Sequence, residues 1–258
     1  MVTESLRRPD RSSSLFIFHL YPVHLDVVLN PAEIAQLQSR DLSATTCVVF
    51  DVLRATSSMI TALAHGVAEI YPVCTIDEAR ALKTSLADAV LGGERKGDMI
   101  PGFDIGNSPR EYTGLTNRRI VTTTTNGTVA LRACEQAERV LVGALLNLGA
   151  VAAELNARAS QSVLLVCAGT FETFALEDAY AAGRLIAELP GATLSDSAQM
   201  AAALAARYPD SLAALQLARN GRALTASGRA ADVEWCAQIS RYKVMGVMEA
   251  AVIRPWPV

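Results

Sequence analysis

The sequence predicts an α/β protein with a layered α/β/α arrangement, a mostly parallel or mixed sheet and a helix-rich C-terminal third. Short runs rich in Val, Ile and Thr alternate with alanine-rich helical patterns as far as Phe174, and the pattern beyond it is nearly all helical. With 258 residues, of which 51% are hydrophobic, the chain is long enough to bury one large core.

Two of the predicted helices have clear start signals. Asn30 precedes Pro31 and has Glu33 three positions after it, while Thr75 and Glu78 form a capping box. Both helices fall between β-branched runs, as an α/β order requires. These runs predict strands at residues 23–29, 47–52, 70–74, 89–91, 120–123, 140–142 and 163–167.

The C-terminal third is predicted to contain helices at 175–189, 198–207 and 212–217. Asn220-Gly221 and Ser227-Gly228 predict turns before a further run at 233–239, and residues 244–253 are predicted to return as a final strand or hairpin. Alanine-rich helices can cover the sheet or pack against a second copy of the chain. A homodimer is therefore compatible with this pattern.

Composition narrows the class of ligand. The net charge is −3 and no block of like charges occurs, so neither nucleic acid nor an anionic membrane is the expected partner. The apolar stretch at 141–153 is too short to span a bilayer, which takes about 20 residues. Five widely spaced cysteines without a C-x-x-C pair fit reduced thiols in the cytoplasm. Residues 1–14 are predicted to be a disordered tail, and residues 15–258 a single domain.

Three polar segments follow predicted strands, at residues 54–58, 124–128 and 168–170. In an open parallel sheet, the loops at the carboxyl ends of the strands line the ligand crevice. The unpaired N–H groups and positive dipole ends of the following helices favour a phosphate. The sequence therefore predicts an anion site at this edge of the sheet.

The first cluster joins a carboxylate, an arginine and hydroxyls. Asp51 ends a buried strand, where a carboxylate is costly unless it is paired, hydrogen-bonded or bound to a metal. Arg54 offers a bidentate contact to phosphate, and Thr56 and Ser57 add hydroxyls at a helix start. The structural alternatives are that Asp51 caps the loop or only pairs with Arg54, and that the hydroxyls are ordinary N-caps.

The second cluster lies on loops around residues 92–109. Glu94 is a candidate Mg²⁺ ligand or base, Arg95 a candidate clamp for a second anionic group, and Asn107 and Ser108 candidate polar contacts. Each of them, taken alone, is also explained by a solvated turn.

The third cluster follows four consecutive threonines. Asn126 tolerates a left-handed turn and Gly127 permits close backbone approach to a ligand, so Thr124, Asn126, Gly127 and Thr128 are candidate phosphate contacts. The threonines are otherwise explained as strand residues. The acidic pair at 177–178 is open to two interpretations, a carboxylate for a shared metal or first-turn acids that favour the helix dipole.

Several phosphate-handling families are excluded by their missing motifs. The chain has no P-loop pattern, Cys167 has no arginine six positions later, and the segment after Asp51 lacks a second aspartate two positions on. His19, His24 and His65 do not form a zinc-ligand pattern.

Six ordered segments resemble the 2-phosphosulfolactate phosphatase (ComB) family. The resemblance implies a ComB-like fold for the domain and a Mg²⁺-dependent enzyme that hydrolyses (2R)-O-phospho-3-sulfolactate to (2R)-3-sulfolactate, a step toward coenzyme M. The segments are DVLRATS at 51–57, LGGERKG at 91–97, GFDIGNSP at 102–109, TTNGT at 124–128, VCAG at 166–169 and FALED at 174–178.

The resemblance, combined with the three clusters, suggests a division of roles. Asp51 and Glu94 are expected to hold Mg²⁺, with Arg54 and the N–H groups at Thr56, Ser57 and Gly127 holding the phosphate. A further set is expected to receive the carboxylate and the sulfonate: Arg95, Asn107 and Ser108.

Three alternatives stay open. Asp51 is either a metal ligand or a nucleophile. The substrate is either the sulfonated ester or another 2-phosphohydroxy acid, such as phospholactate or phosphoglycolate. The third alternative is a non-catalytic sensor that binds an anion in the same pocket.

Overall fold

The computed structural model describes residues 23–158 and 162–256. The predicted tail at 1–14 lies outside the described residues. The strands, in chain order, are β1 (His24–Val28), β2 (Thr45–Phe50), β3 (Glu69–Pro72), β4 (Val90–Arg95), β5 (Asp98–Met99), β6 (Arg119–Thr123), β7 (Arg139–Gly143), β8 (Ser162–Cys167), β9 (Thr193–Leu194), β10 (Met245–Glu249) and β11 (Val252–Trp256).

Ten α-helices accompany these strands in the described part of the chain. They are α1 (Pro31–Gln36), α2 (Ala55–Ala64), α3 (Ile76–Ser85), α4 (Gly127–Ala133), α5 (Leu148–Ala157), α6 (Leu176–Ala187), α7 (Asp196–Arg207), α8 (Ser211–Leu217), α9 (Arg219–Ala226) and α10 (Ala230–Cys236). None of the described helices is long and apolar enough to cross a membrane.

The strands form one mixed sheet in the order β5-β4-β6-β3-β11-β10-β7-β2-β8-β1-β9. Strands β7, β2, β8, β1 and β9 form one parallel block, and β3, β6 and β4 form another. The antiparallel hairpin β10–β11 joins the two blocks by pairing with β7 on one side and β3 on the other. The C-terminal hairpin therefore completes the centre of the sheet.

Strand β2 shows why helices cover both faces. Its side chains alternate, so that Cys47 and Val49 pack with α2 and α4 on one face, while Val48 and Phe50 pack with α5 and α6 on the other. All four are at most 1% exposed. A continuous apolar run of this kind is typical of a strand buried on both sides. This confirms the layered α/β/α prediction.

Helix α2 lies in the middle of its layer. Nine of its ten residues are buried, from Ala55 to Leu63. It contacts α4, β7, β10, β11 and the short 3-10 turn Pro109–Tyr112. Four strands separate β2 from β6 in the sheet, yet a Cβ placed on Gly127, after β6, would come within 2.5 Å of an Asp51 carboxylate oxygen, after β2. The sheet therefore curves around this helix.

Most of the predicted elements are present. The capping box at Thr75 and Glu78 is confirmed, and so is the Asn30 cap with Pro31 in the first turn. The turn predicted at Asn220-Gly221 is wrong, because both residues lie within α9. A Cβ on Gly221 would come within 1.8 Å of the Leu215 carbonyl oxygen, so this glycine lets α8 and α9 approach closely.

Candidate active site

A cleft of about 350 Å³ opens where several strands of the sheet end. Its floor comes from the segments after β2, β6 and β8, one wall from the β4–β5 hairpin and the other from α9. The residues that line it are Asp51, Leu53, Arg54, Glu94, Lys96, Gly97, Asp98, Asn107, Thr125, Asn126, Gly169, Thr170, Phe171, Arg219, Asn220, Ala223, Leu224, Ser227 and Arg229.

Asp51 lies on the floor, directly after β2. Its Oδ1 accepts a hydrogen bond of 3.0 Å from the Ala55 amide, which fixes the carboxylate at the start of α2. Removal from bulk water raises the pKa of Asp51 to about 7, and the negative charges of Glu94 and Glu177 add to this rise. Burial next to other carboxylates therefore disfavours the ionised form of Asp51.

Glu94, the second carboxylate predicted to act in the site, lies at the edge of the cleft and is 8% exposed. Its Oε1 accepts from the Thr125 amide at 2.7 Å and its Oε2 from the Gly97 amide at 2.7 Å. These bonds tie the β4–β5 hairpin to the loop that follows β6. Glu94 thus lies at the point where these two segments of the cleft meet.

The acidic pair at the start of α6 divides into two roles. Asp178 accepts from the amides of Val52 (2.8 Å) and Gly169 (3.1 Å), so it supports the floor. Burial, with the charges of Glu177 and Asp51, raises the pKa of Asp178 well above its usual range.

Glu177, 1% exposed, accepts a 2.5 Å bond at Oε1 from Asn220. Its Oε2 has no hydrogen-bond partner in the described part of the chain, and burial raises the pKa of this carboxyl as well.

Arg54 lines the cleft, and its guanidinium is bound by a residue of α10. Its Nη1 donates to Asp232 Oδ2 at 2.7 Å, with both side chains 4% exposed, and its Nη2 donates to the Gly97 carbonyl at 3.0 Å. The Ser108 hydroxyl donates to the other Asp232 oxygen at 2.6 Å. Asp232 therefore orients the arginine, and nothing in the sequence pattern had singled it out.

Four of the hydroxyls predicted to bind phosphate instead form hydrogen bonds with the backbone of their own segments. Thr56 bonds the Asp51 carbonyl at 2.9 Å and Ser57 bonds the Val52 carbonyl at 2.8 Å. Thr124 and Thr128 exchange hydrogen bonds with each other's backbone. None of the four is among the residues that line the cleft. The Thr56 amide is also engaged, because it donates to the Asp51 carbonyl at 3.0 Å.

Asn126 and Gly127 bring the loop after β6 against the floor. Asn126 lines the cleft and pairs with the backbone of Phe171 in both directions, accepting from its amide at 3.1 Å and donating to its carbonyl at 3.0 Å. Gly127 does not line the cleft, but its missing side chain makes room for the Asp51 carboxylate.

Only one of the three residues predicted to bind the acid groups of the substrate lines the cleft. Asn107 lines the cleft, whereas Arg95 and Ser108 do not. Arg95 is next to Glu94 on β4, and neighbouring strand residues point to opposite faces, so only one of the two can face the cleft. Arg95 instead donates to the Thr123 hydroxyl at 2.9 Å.

Three cationic residues at the cleft were not predicted as site residues. Lys96 is on the hairpin, Arg219 begins α9 and Arg229 follows it. Lys96 falls within the LGGERKG segment, which was the one signal available for it. The two arginines are more than 120 positions away from that segment and carried no local motif.

The donor set of the site fits Mg²⁺. Among residues 23–158 and 162–256, no group of three or more His, Cys, Asp or Glu side chains is arranged to hold a metal ion. Mg²⁺ does not require such a cage, since it is usually bound through one or two carboxylates together with substrate phosphates and waters. Asp51 and Glu94 supply two carboxylates at the cleft. Glu177 does not line the cleft, but its Oε2 is buried and has no hydrogen-bond partner among the described residues.

The chain is similar to a known family and to several named proteins. A family model described as 2-phosphosulpholactate phosphatase matches residues 31–251. A protein of Carboxydothermus hydrogenoformans is 39% identical over 224 residues, which are 86% of this chain and 91% of that protein. A protein of Deinococcus radiodurans is 41% identical over 205 residues, 77% of this chain and 85% of its own length.

A third relative, from Symbiobacterium thermophilum, is 39% identical over 218 residues, 81% of this chain and 93% of that protein. Each of the three is named a probable 2-phosphosulfolactate phosphatase. The matched region runs from the start of α1 to the turn of the C-terminal hairpin, so it contains every element that lines the cleft.

Proposed function

The chain belongs to the 2-phosphosulpholactate phosphatase family, and we propose that it hydrolyses the phosphate ester of (2R)-O-phospho-3-sulfolactate in a Mg²⁺-dependent reaction. The products are (2R)-3-sulfolactate and phosphate. The observation that best supports this is the arrangement of Asp51, Glu94 and Arg54 around one cleft, since it combines carboxylates for a cation with a guanidinium for a phosphate.

The charges along the cleft also suit this substrate. Phosphosulfolactate carries a phosphate, a carboxylate and a sulfonate. Four cationic side chains line the cleft, against three carboxylates, and a divalent cation adds further positive charge. The cationic residues are Arg54, Lys96, Arg219 and Arg229, and the acidic ones are Asp51, Glu94 and Asp98.

In the proposed mechanism, Asp51 and Glu94 are the residues that would hold the metal ion, and Arg54 binds phosphate oxygens. When bound, Mg²⁺ supplies positive charge against the phosphate oxygens. Asp232 keeps the Arg54 guanidinium in place before substrate arrives. Catalysis of phosphoryl transfer depends mainly on positioning and charge neutralisation, and a guanidinium fixed in advance provides both at no cost in reorganisation.

Asp51 has two proposed roles, which one experiment separates. As a nucleophile it would carry the phosphoryl group as an acyl phosphate, and as a metal ligand it would not. Label from ³²P-substrate that stays on the protein after rapid acid quench supports the covalent route. If no label is retained at any quench time while turnover proceeds, the covalent route is wrong and the metal-ligand role is the one of the two that is left.

The proposed function is tested by phosphate release from a panel of esters, with and without Mg²⁺. We expect turnover of phosphosulfolactate only with Mg²⁺, and a loss of at least about 100-fold in kcat/KM for Arg54→Ala, the size seen when one charge-stabilising donor is removed. Arg222→Ala, on the exposed side of α9, is the matched control and should leave kcat/KM unchanged.

Other results of the same panel would contradict the proposal. Preference for phospholactate or phosphoglycolate would make the protein a phosphatase of another 2-phosphohydroxy acid. Tight binding of one ester without turnover of any would make it a sensor. A folded Arg54→Ala variant with near-wild-type kcat/KM would overturn the proposed mechanism.

The proposal also covers the pathway, the cellular compartment and the oligomeric state of the protein. We propose that the reaction is a step toward coenzyme M. We also propose that it takes place in the cytoplasm, which the odd number of widely spaced cysteines supports. We also propose a homodimer, to be tested by light scattering of the purified protein. A mass of one chain at all concentrations would contradict it.

A further inference from the structure

We propose that Lys96 and Arg219 form the acid-recognition subsite of the cleft and select substrates that carry anionic groups besides the phosphate. This inference rests on the proposed function and assigns the carboxylate and the sulfonate to two residues on opposite walls. Of the four cationic side chains that line the cleft, two already have ion-pair partners.

Two of the cleft arginines, Arg54 at the phosphate end and Arg229, already have an ion-pair partner within the protein. Arg54 pairs with Asp232 at 2.7 Å, and Arg229 pairs with Asp98 at 2.8 Å. Lys96 and Arg219 are exposed and form no ion pair with any residue in the described ranges 23–158 and 162–256. Their positive charges are therefore available to the substrate.

Arg219 is held in position without losing its hydrogen-bond donors. Its guanidinium carbon lies 5.5 Å from the centre of the Phe171 ring, which is a cation–π contact. Phe171 has a positive φ of 52°, and its backbone amide and carbonyl are both bonded by the Asn126 side chain. The floor of the cleft thus holds the backbone that carries the ring contacted by the arginine.

Lys96 extends from a backbone that is held by three charged side chains. The amide of the next residue, Gly97, donates to Glu94 at 2.7 Å, and its carbonyl accepts from Arg54 at 3.0 Å and also from Arg229. Lys96 itself has a φ of 55° at the tip of this hairpin. The backbone from which the Lys96 side chain extends is therefore held in place.

The chemistry of the two side chains suits the two acid groups. A guanidinium matches the planar carboxylate with two parallel hydrogen bonds, whereas an ammonium acts as a compact point charge, which suits a tetrahedral sulfonate. The phosphate end of the cleft contains Asp51 and Arg54. An ester without acid groups would use that end and leave the subsite empty.

The test compares phosphosulfolactate with isopropyl phosphate, which has no acid group. We expect Arg219→Met and Lys96→Met each to lower kcat/KM for phosphosulfolactate by about 10- to 100-fold, mainly through KM, as expected for loss of a hydrogen bond to a charged group. Turnover of isopropyl phosphate should stay at the wild-type level. Arg222→Met, an exposed arginine of the same helix, should change neither.

Two further measurements keep this test independent of the proposed function. Calorimetric binding of free 3-sulfolactate should weaken about 10-fold or more in both variants, and Phe171→Ala should weaken it about two- to fivefold through loss of the cation–π contact. If the wild type hydrolyses no ester, the proposed function is wrong while this binding measurement still decides the subsite. Equal losses on both esters, or unchanged sulfolactate binding, would overturn the subsite.

Discussion

Asp232 connects the C-terminal helices to the loop that is proposed to bind phosphate. One of its oxygens holds Arg54 and the other accepts from Ser108, so a single buried carboxylate fixes residues from two distant segments. It lies 178 positions after Arg54 in the sequence. No local spacing signals such a pair, which explains why the sequence indicated Arg54 and not the residue that orients it.

Removing Asp232 should destabilise the protein strongly, because it leaves the Arg54 charge buried and unpaired. We expect Asp232→Ala to lower the free energy of unfolding by about 3 to 5 kcal/mol, measured by urea denaturation. Asp98→Ala breaks the more exposed pair with Arg229 and should cost about 1 kcal/mol or less. If the two variants lose equal stability, the Arg54–Asp232 pair is not the buried contact described here.

Gly127 contributes to the site because its lack of a side chain leaves room for Asp51. A Cβ there would come within 2.5 Å of Asp51 Oδ2 and 2.7 Å of the Ala55 Cβ. We expect Gly127→Ala to lower the free energy of unfolding by about 1 to 3 kcal/mol, as overpacking does, and to displace Asp51 enough to reduce phosphatase turnover.

Gly114→Ala provides the control for this prediction, since nothing lies within 4 Å of a Cβ there. It should change stability by no more than about 0.5 kcal/mol. Wild-type stability and turnover in Gly127→Ala would show that Asp51 and α2 have room to move away from the added methyl group.

At the residue scale, three of the four charged residues predicted for the site line the cleft, whereas Arg95 and the predicted hydroxyls do not. Asp51, Arg54 and Glu94 all line the cleft as expected. The hydroxyls of Thr56 and Ser57 do not, because short hydroxyl side chains bond readily to nearby backbone groups. A motif shows that hydroxyls are present, but it does not show whether the backbone has already used them.

At the element scale, hydrophobic periodicity predicted the longer strands and helices and missed the shortest ones. Strands β5 and β9 have two residues each, too few for a period to be visible. The prediction also read Asn220-Gly221 as a turn, whereas the contact between α8 and α9 requires a glycine inside a helix. A sequence pattern does not distinguish these two uses of glycine.

Helix α5 is fixed to β7 by a charged contact with a definite pH dependence. Glu154 accepts hydrogen bonds from Arg139 on β7 and from Arg158 just after α5. Burial alone would raise the pKa of Glu154, but the hydrogen bonds and charges of these two arginines outweigh it and lower this pKa. The ionised carboxylate therefore favours the folded state.

The sign of the effect follows from the lowered pKa. The contribution of Glu154 is complete above the unfolded pKa of about 4.3 and disappears as the pH falls through the lower folded value. We expect the wild type to exceed Glu154→Gln in free energy of unfolding by about 1 kcal/mol at pH 7, and this difference to shrink below about pH 4.3. Urea titrations from pH 7 to pH 3 measure it.

Glu188→Gln is the matched control, because Glu188 is exposed and belongs to none of the ion pairs found in the described residues. Its difference from the wild type should stay small at every pH. A difference for Glu154→Gln that remained constant down to pH 3 would show that Glu154 contributes by packing and not by charge.

At the scale of the whole molecule, the curvature of the sheet assembles the site. Strands β2 and β6 are separated in the sheet by β7, β10, β11 and β3, yet the segments that follow them meet at Asp51 and Gly127. The sequence predicted that these loops converge, on the premise that their strands were neighbours. The convergence is real, but it arises from a sheet that bends around α2, which no local pattern records.

This assembly buries several carboxylates close together, which gives the folded protein a reason to bind a cation. Burial raises the pKa of Asp51 and of Asp178, and the charges of neighbouring carboxylates raise both further. A divalent ion bound between Asp51 and Glu94 would relieve this repulsion in the folded state only. Because the unfolded chain does not bring these residues together, Mg²⁺ should stabilise the fold by mass action.

We expect free Mg²⁺ at ten times its Kd to raise the free energy of unfolding by about 1.4 kcal/mol, which for a domain of this size corresponds to a rise of about 3 to 6 °C in Tm. Asp51→Asn should lose most of this rise. Asp77→Asn, which removes a carboxylate 97% exposed on α3, should keep it. Thermal unfolding with Mg²⁺, and again after EDTA, measures both. An equal rise in all three proteins would place the stabilising Mg²⁺ away from the cleft, since only Asp51→Asn alters the proposed ligands.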